Sequence, residues 1–374
     1  MKILEKLNQK ILSNYLQRGE VQVFLFLFFF RTPFNLKFLL PSRKGRPQLG
    51  GFLERDPQQL FWPSCYRLVQ KPAAMSDPDE LFVLRNNFWL GNYQKAIAEG
   101  SSLGRLSEAL KIESKEFVYR SYIALGQFNI VIDEVSDSPS TPSSLQAVKL
   151  LARYLSQPQD KEIILMTLNE WLSGQQTGNP STLQLIAALI YMHEDNTKEA
   201  LRCIHLGATM EQLALSTQIY LKMNRLELAS KTVKMMQQAD EDATLTQLAL
   251  AWIHMASGGA KLQEAAYIFD ELAGKFEPTS MLLNGQAVAN IHLGKFEEAE
   301  RLLVEALSKG QNDPNTLVNI ICCFQHQGKP MDLVTRYVNQ LKSVAPEHAF
   351  VKQLTTVGGA FQRVAETYAT ETSA

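Results

Sequence analysis

Leu90-Gly91-Asn92-Tyr93, Leu125-Gly126-Gln127-Phe128 and Leu293-Gly294-Lys295-Phe296 are three versions of one phrase: a leucine, a glycine, a polar residue and an aromatic ring. The first two begin 35 residues apart, and the third is echoed 34 residues later at Gly328-Lys329-Pro330. A chain that repeats itself at this interval builds its fold by stacking small units, none of which can bury its apolar face alone. Each phrase reads as the joint of a helical hairpin. Glycine adopts the left-handed conformation that ends a helix with little steric penalty, and the aromatic two residues on (Tyr93, Phe128, Phe296) is expected to wedge between the paired helices.

The clearest unit runs from Leu282 to Pro314. Ala299 falls where its two helices must approach closely, and Ala306 follows about two turns later on the same side. A larger side chain at either point would push the pair apart. Beyond Ala306 the apolar period stops, and Pro314 cannot continue that helix but suits the first turn of the next. The same frame puts a small or aliphatic residue at the second-helix contact in Ala96, Val131, Ala200, Ala229, Ala265, Ala299 and Leu333. Ala200 to Ala229 is only 29 residues, so one unit there is expected to be short. Leu145 to Leu155 and Lys161 to Leu172 keep helical apolar spacing without the glycine phrase and read as a degenerate repeat. The expected fold is all-α: a right-handed superhelical α-solenoid of tetratricopeptide-like helical hairpins over residues 75–370, with a short tail at 371–374.

The overall formal charge of −1 gives no reason to expect nucleic acid as a partner. That average conceals a division, because residues 1–74 carry 12 Lys and Arg against 4 Asp and Glu. Within them Val21 to Phe30 is strongly apolar, yet it is about half the roughly 20 residues a membrane-spanning helix requires. The stretch ahead of it is too long and too mixed in charge for an ordinary secretory signal, and no small-x-small cleavage site follows it. Residues 1–74 are read as a poorly structured, basic, Phe-rich extension. Its origin in an upstream translation start stands beside a targeting role, since Met75-Ser76-Asp77-Pro78-Asp79-Glu80 reads as an ordinary beginning with a helix cap ahead of Leu81.

Chemistry-bearing patterns are absent from the sequence. The four cysteines, Cys65, Cys203, Cys322 and Cys323, form no Cys-x-x-Cys pair, and neighbours on a helix point about 100° apart, so buried thiols in a reducing compartment are expected. The six histidines are scattered without metal-ligand spacing. Ser257-Gly258-Gly259-Ala260 joins two helices rather than following a strand, which removes the phosphate-loop reading. Glu297, Glu298 and Glu300 are a solvated helix face. The reading is therefore a non-enzyme without cofactor or metal: a scaffold whose first helices line a concave wall on which a partner segment lies. On this frame the wall candidates are His254, Asn284, Val288, Asn319, Cys322 and Gln325; the competing reading of the asparagines is that they satisfy neighbouring groups. The structural joints are Gly91, Tyr93, Gly126, Phe128, Ala265, Gly294, Phe296, Ala299 and Gly328.

Several stretches together resemble the coatomer epsilon subunit family: Asp79 to Gln94 (DELFVLRNNFWLGNYQ), Leu145 to Leu155 (LQAVKLLARYL), Asp240 to Trp252 (DEDATLTQLALAW), Leu282 to Leu307, and Thr316 to Leu341. DEDATLTQLA followed by LLNGQA is the specific part, because neither is demanded by the repeat pattern. The resemblance covers about Asp77 to Tyr368 and has no counterpart for residues 1–74. It implies a subunit of the heptameric COPI coat that binds the C-terminal domain of the alpha subunit, with its repeats wrapping a protruding part of that partner. Such a subunit works in the cytoplasm and peripherally on Golgi membranes and coated vesicles, in retrograde Golgi-to-ER and intra-Golgi transport. Its membrane contact is indirect, through the coat and its small GTPase. Two other readings stay open: a repeat adaptor in a different complex, such as a proteasome-like or signalosome-like assembly, and a receptor tethered by the Phe-rich leader.

Overall fold

The computed structural model describes residues 79–371 apart from 105, 139, 175–179, 206 and 208; the readings of residues 1–74, of the Met75 start and of 372–374 lie outside the described residues. The described residues form α-helices and no strand. They pair as α1 (Phe82–Trp89) with α2 (Tyr93–Ser102), α3 (Glu108–Ala124) with α4 (Phe128–Glu134), α5 (Ser143–Ser156) with α6 (Lys161–Gly174), and α7 (Ser181–His193) with α8 (Thr197–Ile204). Next come α9 (Met210–Lys222) with α10 (Leu226–Ala239), α11 (Thr244–Ser257) with α12 (Lys261–Lys275), α13 (Ser280–His292) with α14 (Phe296–Lys309), and α15 (Pro314–His326) with α16 (Met331–Val344). A last helix, α17 (Ala349–Glu371), follows them. The chain is an all-α solenoid of helical hairpins.

The joints repeat one backbone device. Gly91, Gly126, Gly294 and Gly328 all have positive φ. At Gly294 the amide donates to the Ile291 carbonyl (3.0 Å) and the next amide, of Lys295, donates to Asn290 (2.8 Å), which satisfies carbonyls the helix end leaves open. Two joints without glycine do the same. Asp195 (φ 57°) and Asn224 (φ 56°) take the left-handed position, which their short polar side chains tolerate better than most. Each lies five residues before its contact alanine, Ala200 and Ala229, the same spacing as Gly294 to Ala299.

Ala96, Val131, Ala200, Ala229, Ala265 and Ala299 are all fully buried where second helices meet first ones. Leu333 is a correction: it is only partly buried, and Val334 fills the contact instead. The reason is Pro330, which caps α16 with an extended backbone (φ −53°, ψ 136°) and starts that helix one residue later after its glycine than the others. The short interval from Ala200 to Ala229 comes from α8, with 8 residues where α10 and α14 have 14. The degenerate pair is α5 and α6. Here α6 leaves Ile163 and Met166 exposed, and an open groove of about 680 Å³ separates α4, α5 and α6, lined among others by Ile132, Lys149, Arg153 and Trp171.

Packing within the stack is close enough to restrict side-chain size. A Cβ at Gly285 on α13 would come within 2.7 Å of the Phe269 ring on α12, so only glycine lets those helices approach as they do. The joint aromatics are half-buried as wedges. Phe296 stacks on His326 with ring centres 5.2 Å apart and planes 6° from parallel, while Tyr93 meets Phe88 edge-on at 5.9 Å.

Candidate partner-binding cradle

Most successive first helices pack against each other, and the first hairpin then meets hairpins far along the chain. α1 and the joint after it make contacts at the starts of α9, α11 and α13. The Trp89 indole N–H donates to Glu211 Oε1 on α9 (2.9 Å). Thr244, the first residue of α11, donates its hydroxyl hydrogen to Asn86 Oδ1 (2.6 Å) in a buried contact. Just before α13, Glu277 accepts from Asn92 Nδ2 (3.0 Å) and pairs with Lys95, which holds its carboxyl below the usual carboxylate range. Gly91 lies against Met281, and Leu90 is buried in the same apolar core as Leu245, Trp252 and Leu282.

The centre of this closure is Arg120 on α3. Its guanidinium makes two bonds to Glu211, Nη1 to Oε2 at 3.0 Å and Nη2 to Oε1 at 2.9 Å. It also lies over the faces of Phe88 (4.5 Å) and Phe117 (5.1 Å). Planarity and a fixed donor fork suit arginine to both contacts at once, and lysine would provide neither. The arginine is 8 % exposed, so its charge is largely withdrawn from water and depends on Glu211. The arc is thereby closed by a clasp.

The predicted wall residues occupy a different place. Asn284, Val288, Asn319 and Cys322 are at most 2 % exposed. Asn284 Nδ2 donates to Thr316 Oγ1 (2.6 Å) and to the Ser280 carbonyl (2.8 Å), while Asn319 Nδ2 donates to Asn284 Oδ1 (2.9 Å). Thr316 in turn donates to the capping carboxylate of Asp313 (2.6 Å). This ladder stitches α13 to α15, so the asparagines satisfy neighbouring groups and offer nothing at a free surface. Val288 and Cys322 are core residues. His254 is half-buried, 3.5 Å from Glu264 on α12, and burial keeps its pKa below that of a free imidazole; Gln325 is half-buried with Oε1 enclosed. The frame placed all six on first helices, where they lie. It did not reveal that the neighbouring first helix covers that face.

Asn86, Trp89, Arg120, Glu211, Thr244 and Glu277, the residues that shape the cradle, escaped the sequence reading because their partners lie far away along the chain. Burial pushes the Cys322 thiol up to about 12 and those of Cys203 and Cys323 to about 11, so all three stay protonated and poorly nucleophilic. Among the described residues no group of His, Cys, Asp and Glu is arranged to hold a metal ion, and no helix is long and apolar enough to cross a membrane.

The family model described as coatomer epsilon subunit matches residues 77–369. The chain belongs to the coatomer epsilon subunit family. Coatomer subunit epsilon-1 of Arabidopsis thaliana is 48 % identical over 297 residues, 79 % of this chain and 100 % of that protein. Coatomer subunit epsilon of Dictyostelium discoideum is 38 % identical over 77 % of this chain and 98 % of its own. The Caenorhabditis elegans protein of that name is 34 % identical over 77 % and 98 %. Membership makes the chain a component of the COPI coat of transport vesicles, a structural role. A solved tetratricopeptide repeat protein from Parabacteroides merdae is also similar, at 16 % identity over 65 % of this chain and 96 % of its own, with a TM-score of 0.49; the fold assignment rests on the hairpins themselves.

Proposed function

We propose that this chain is a non-catalytic structural subunit that holds the C-terminal domain of the alpha coat subunit, its clasped arc of hairpins wrapping a protruding part of that partner. Through this contact it supports retrograde Golgi-to-ER and intra-Golgi transport. The observation that carries the reading is the family match along residues 77–369, the same stretch that forms the arc. A rigid curved surface assembled from many hairpins suits a polypeptide ligand, since it offers contacts on several units at once. Membrane attachment then comes from the assembled coat and its small GTPase, with the subunit in the cytoplasm and peripheral on Golgi membranes.

Mixing the purified chain with the alpha subunit's C-terminal domain tests this directly. A stoichiometric complex that survives moderate salt is expected; two components that elute separately would overturn the assignment. In cells, alkaline carbonate should release the chain from Golgi membranes, and retention in the pellet would favour a tethered receptor.

A further inference from the structure

Three of the chain's 15 prolines follow a serine or a threonine: Pro33 after Thr32, Pro139 after Ser138 and Pro142 after Thr141. The last two fall in one short loop, Ser136-Asp137-Ser138-Pro139-Ser140-Thr141-Pro142, which joins α4 to α5. Ser136, Asp137 and Ser140 are exposed, and Ser138 and Thr141 are half-buried. The Ser136 and Thr141 hydroxyls bond to each other at 2.7 Å, the Thr141 amide donates to the Ser138 carbonyl (3.0 Å), and Gln146 of α5 donates to that same carbonyl (3.1 Å). Bonds at a wet surface open locally at little cost, so both acceptor hydroxyls can be presented without disturbing a helix. The residue before a proline favours extended backbone, the form in which a peptide lies along a kinase cleft.

Beside this loop α5 presents two cations one turn apart. Lys149 and Arg153 both pair with a single carboxylate, that of Asp137, at 3.0 and 2.9 Å. These bonds, that of Lys149 foremost, hold the Asp137 carboxyl below the usual carboxylate range. Asp137 directly precedes Ser138, so an anion added to Ser138 arises next to both cations. Lys149 is nearly covered, with 7 % of its side chain exposed, whereas Arg153 keeps 38 % and its planar fork suits a phosphate.

We propose that this loop is a phosphorylation site for a proline-directed protein kinase, with Ser138 and Thr141 the acceptors and Arg153 with Lys149 the seat of the Ser138 phosphate. In the transfer the serine hydroxyl oxygen bonds to the γ-phosphorus of a nucleoside triphosphate, and the bond from that phosphorus to the bridging oxygen breaks. The nucleoside diphosphate leaves, and the hydroxyl proton passes to the kinase's base. The product carries close to two negative charges and three strong acceptor oxygens. A phosphate on Thr141 lies just ahead of Pro142, the cap of α5, where a helix N-terminus favours negative charge. The consequence falls on the groove between α4, α5 and α6. Its charged lining residues, Asp137, Lys149, Arg153 and Asp160, balance one another, and phosphorylation makes that wall acidic.

Full chain incubated with a mitogen-activated protein kinase and ATP, then mapped by mass spectrometry, tests the acceptors. Phosphate on Ser138 and Thr141 is expected, and the double variant Ser138→Ala with Thr141→Ala should lose most of the label at an unchanged melting temperature. A loop left unlabelled, or label confined to Thr32, overturns the proposal. Chain isolated from its own cells under phosphatase inhibition should carry the group on the same loop; complete coverage of residues 136–149 without it is equally fatal. The seat has a separate readout in the second ionisation of the phosphate, followed by ³¹P NMR on the phosphorylated full chain. It is expected below the ordinary value of about 6 and should return toward that value in Arg153→Gln. An ionisation that this variant does not move overturns the seating by Arg153.

Discussion

At the scale of single residues, the conformational freedom of glycine and the size of alanine do most of the local work. Gly294 has φ +78°, and although space around it is open, a β-branched side chain is strained by the backbone itself. Gly294→Val is therefore expected to destabilise by roughly 1 kcal/mol or more, seen as a lower thermal midpoint. Asn284→Ala removes an acceptor from Asn319 and a donor to Thr316 in a dry interface, so denaturant unfolding should show a loss of about 1–3 kcal/mol. A loss near zero would mean that the ladder contributes little. Sequence made the glycine legible because its role is local. It left Asn284 ambiguous because whether an asparagine faces solvent or a neighbour depends on the next hairpin.

At the scale of elements, each hairpin is set by the distance from its joint to the small residue where its helices touch. Ala299 is fully buried between α14 and its neighbours, and Ala299→Leu is expected to force them apart at a cost of about 1–3 kcal/mol, measured by equilibrium unfolding. If this variant and Gly294→Val both melt like the unaltered chain, the hairpin frame is wrong. The degenerate pair α5 and α6 was legible as helices through its apolar period. That α6 stands away from α5 and leaves a groove was not, since periodicity reports an amphipathic face and not how well its neighbour fits. Pro330 shows the same boundary in miniature: the glycine spacing pointed to Leu333, and one inserted proline moved the contact to Val334.

At the scale of the whole molecule, the clasp at Arg120 joins helices that local repeats would leave apart. Glu211→Ala strands the buried guanidinium without its carboxylate and should destabilise by about 3 kcal/mol, toward the low end for a broken buried pair because Glu211 keeps some exposure. A double-mutant cycle with Arg120→Ala checks it, and a coupling near zero would show that the clasp is not shared between them. Acid should loosen the stack as well. Burial holds His193 down to about 4 and also lowers His254, His292 and His348. Such a group binds fewer protons folded than unfolded, so its stabilising contribution is complete above about pH 6.5 and is lost as pH falls toward the folded pKa. Glu116, raised by burial, works in the opposite sense near its own titration and offsets part of the loss. The melting temperature is expected to drop between pH 7 and pH 5, with a shallower decline in His193→Gln; equal slopes would exclude that histidine as a source. The sequence by itself determined the hairpin architecture, the glycine joints and, through specific phrases, the family, because these follow from conformational preferences and packing within about 35 residues. Only the tertiary structure decided that the arc closes and which faces are covered, because those depend on pairs such as Trp89 with Glu211 and Asn92 with Glu277, 122 and 185 residues apart, whose meeting comes from the accumulated curvature of the intervening hairpins and leaves no local signal.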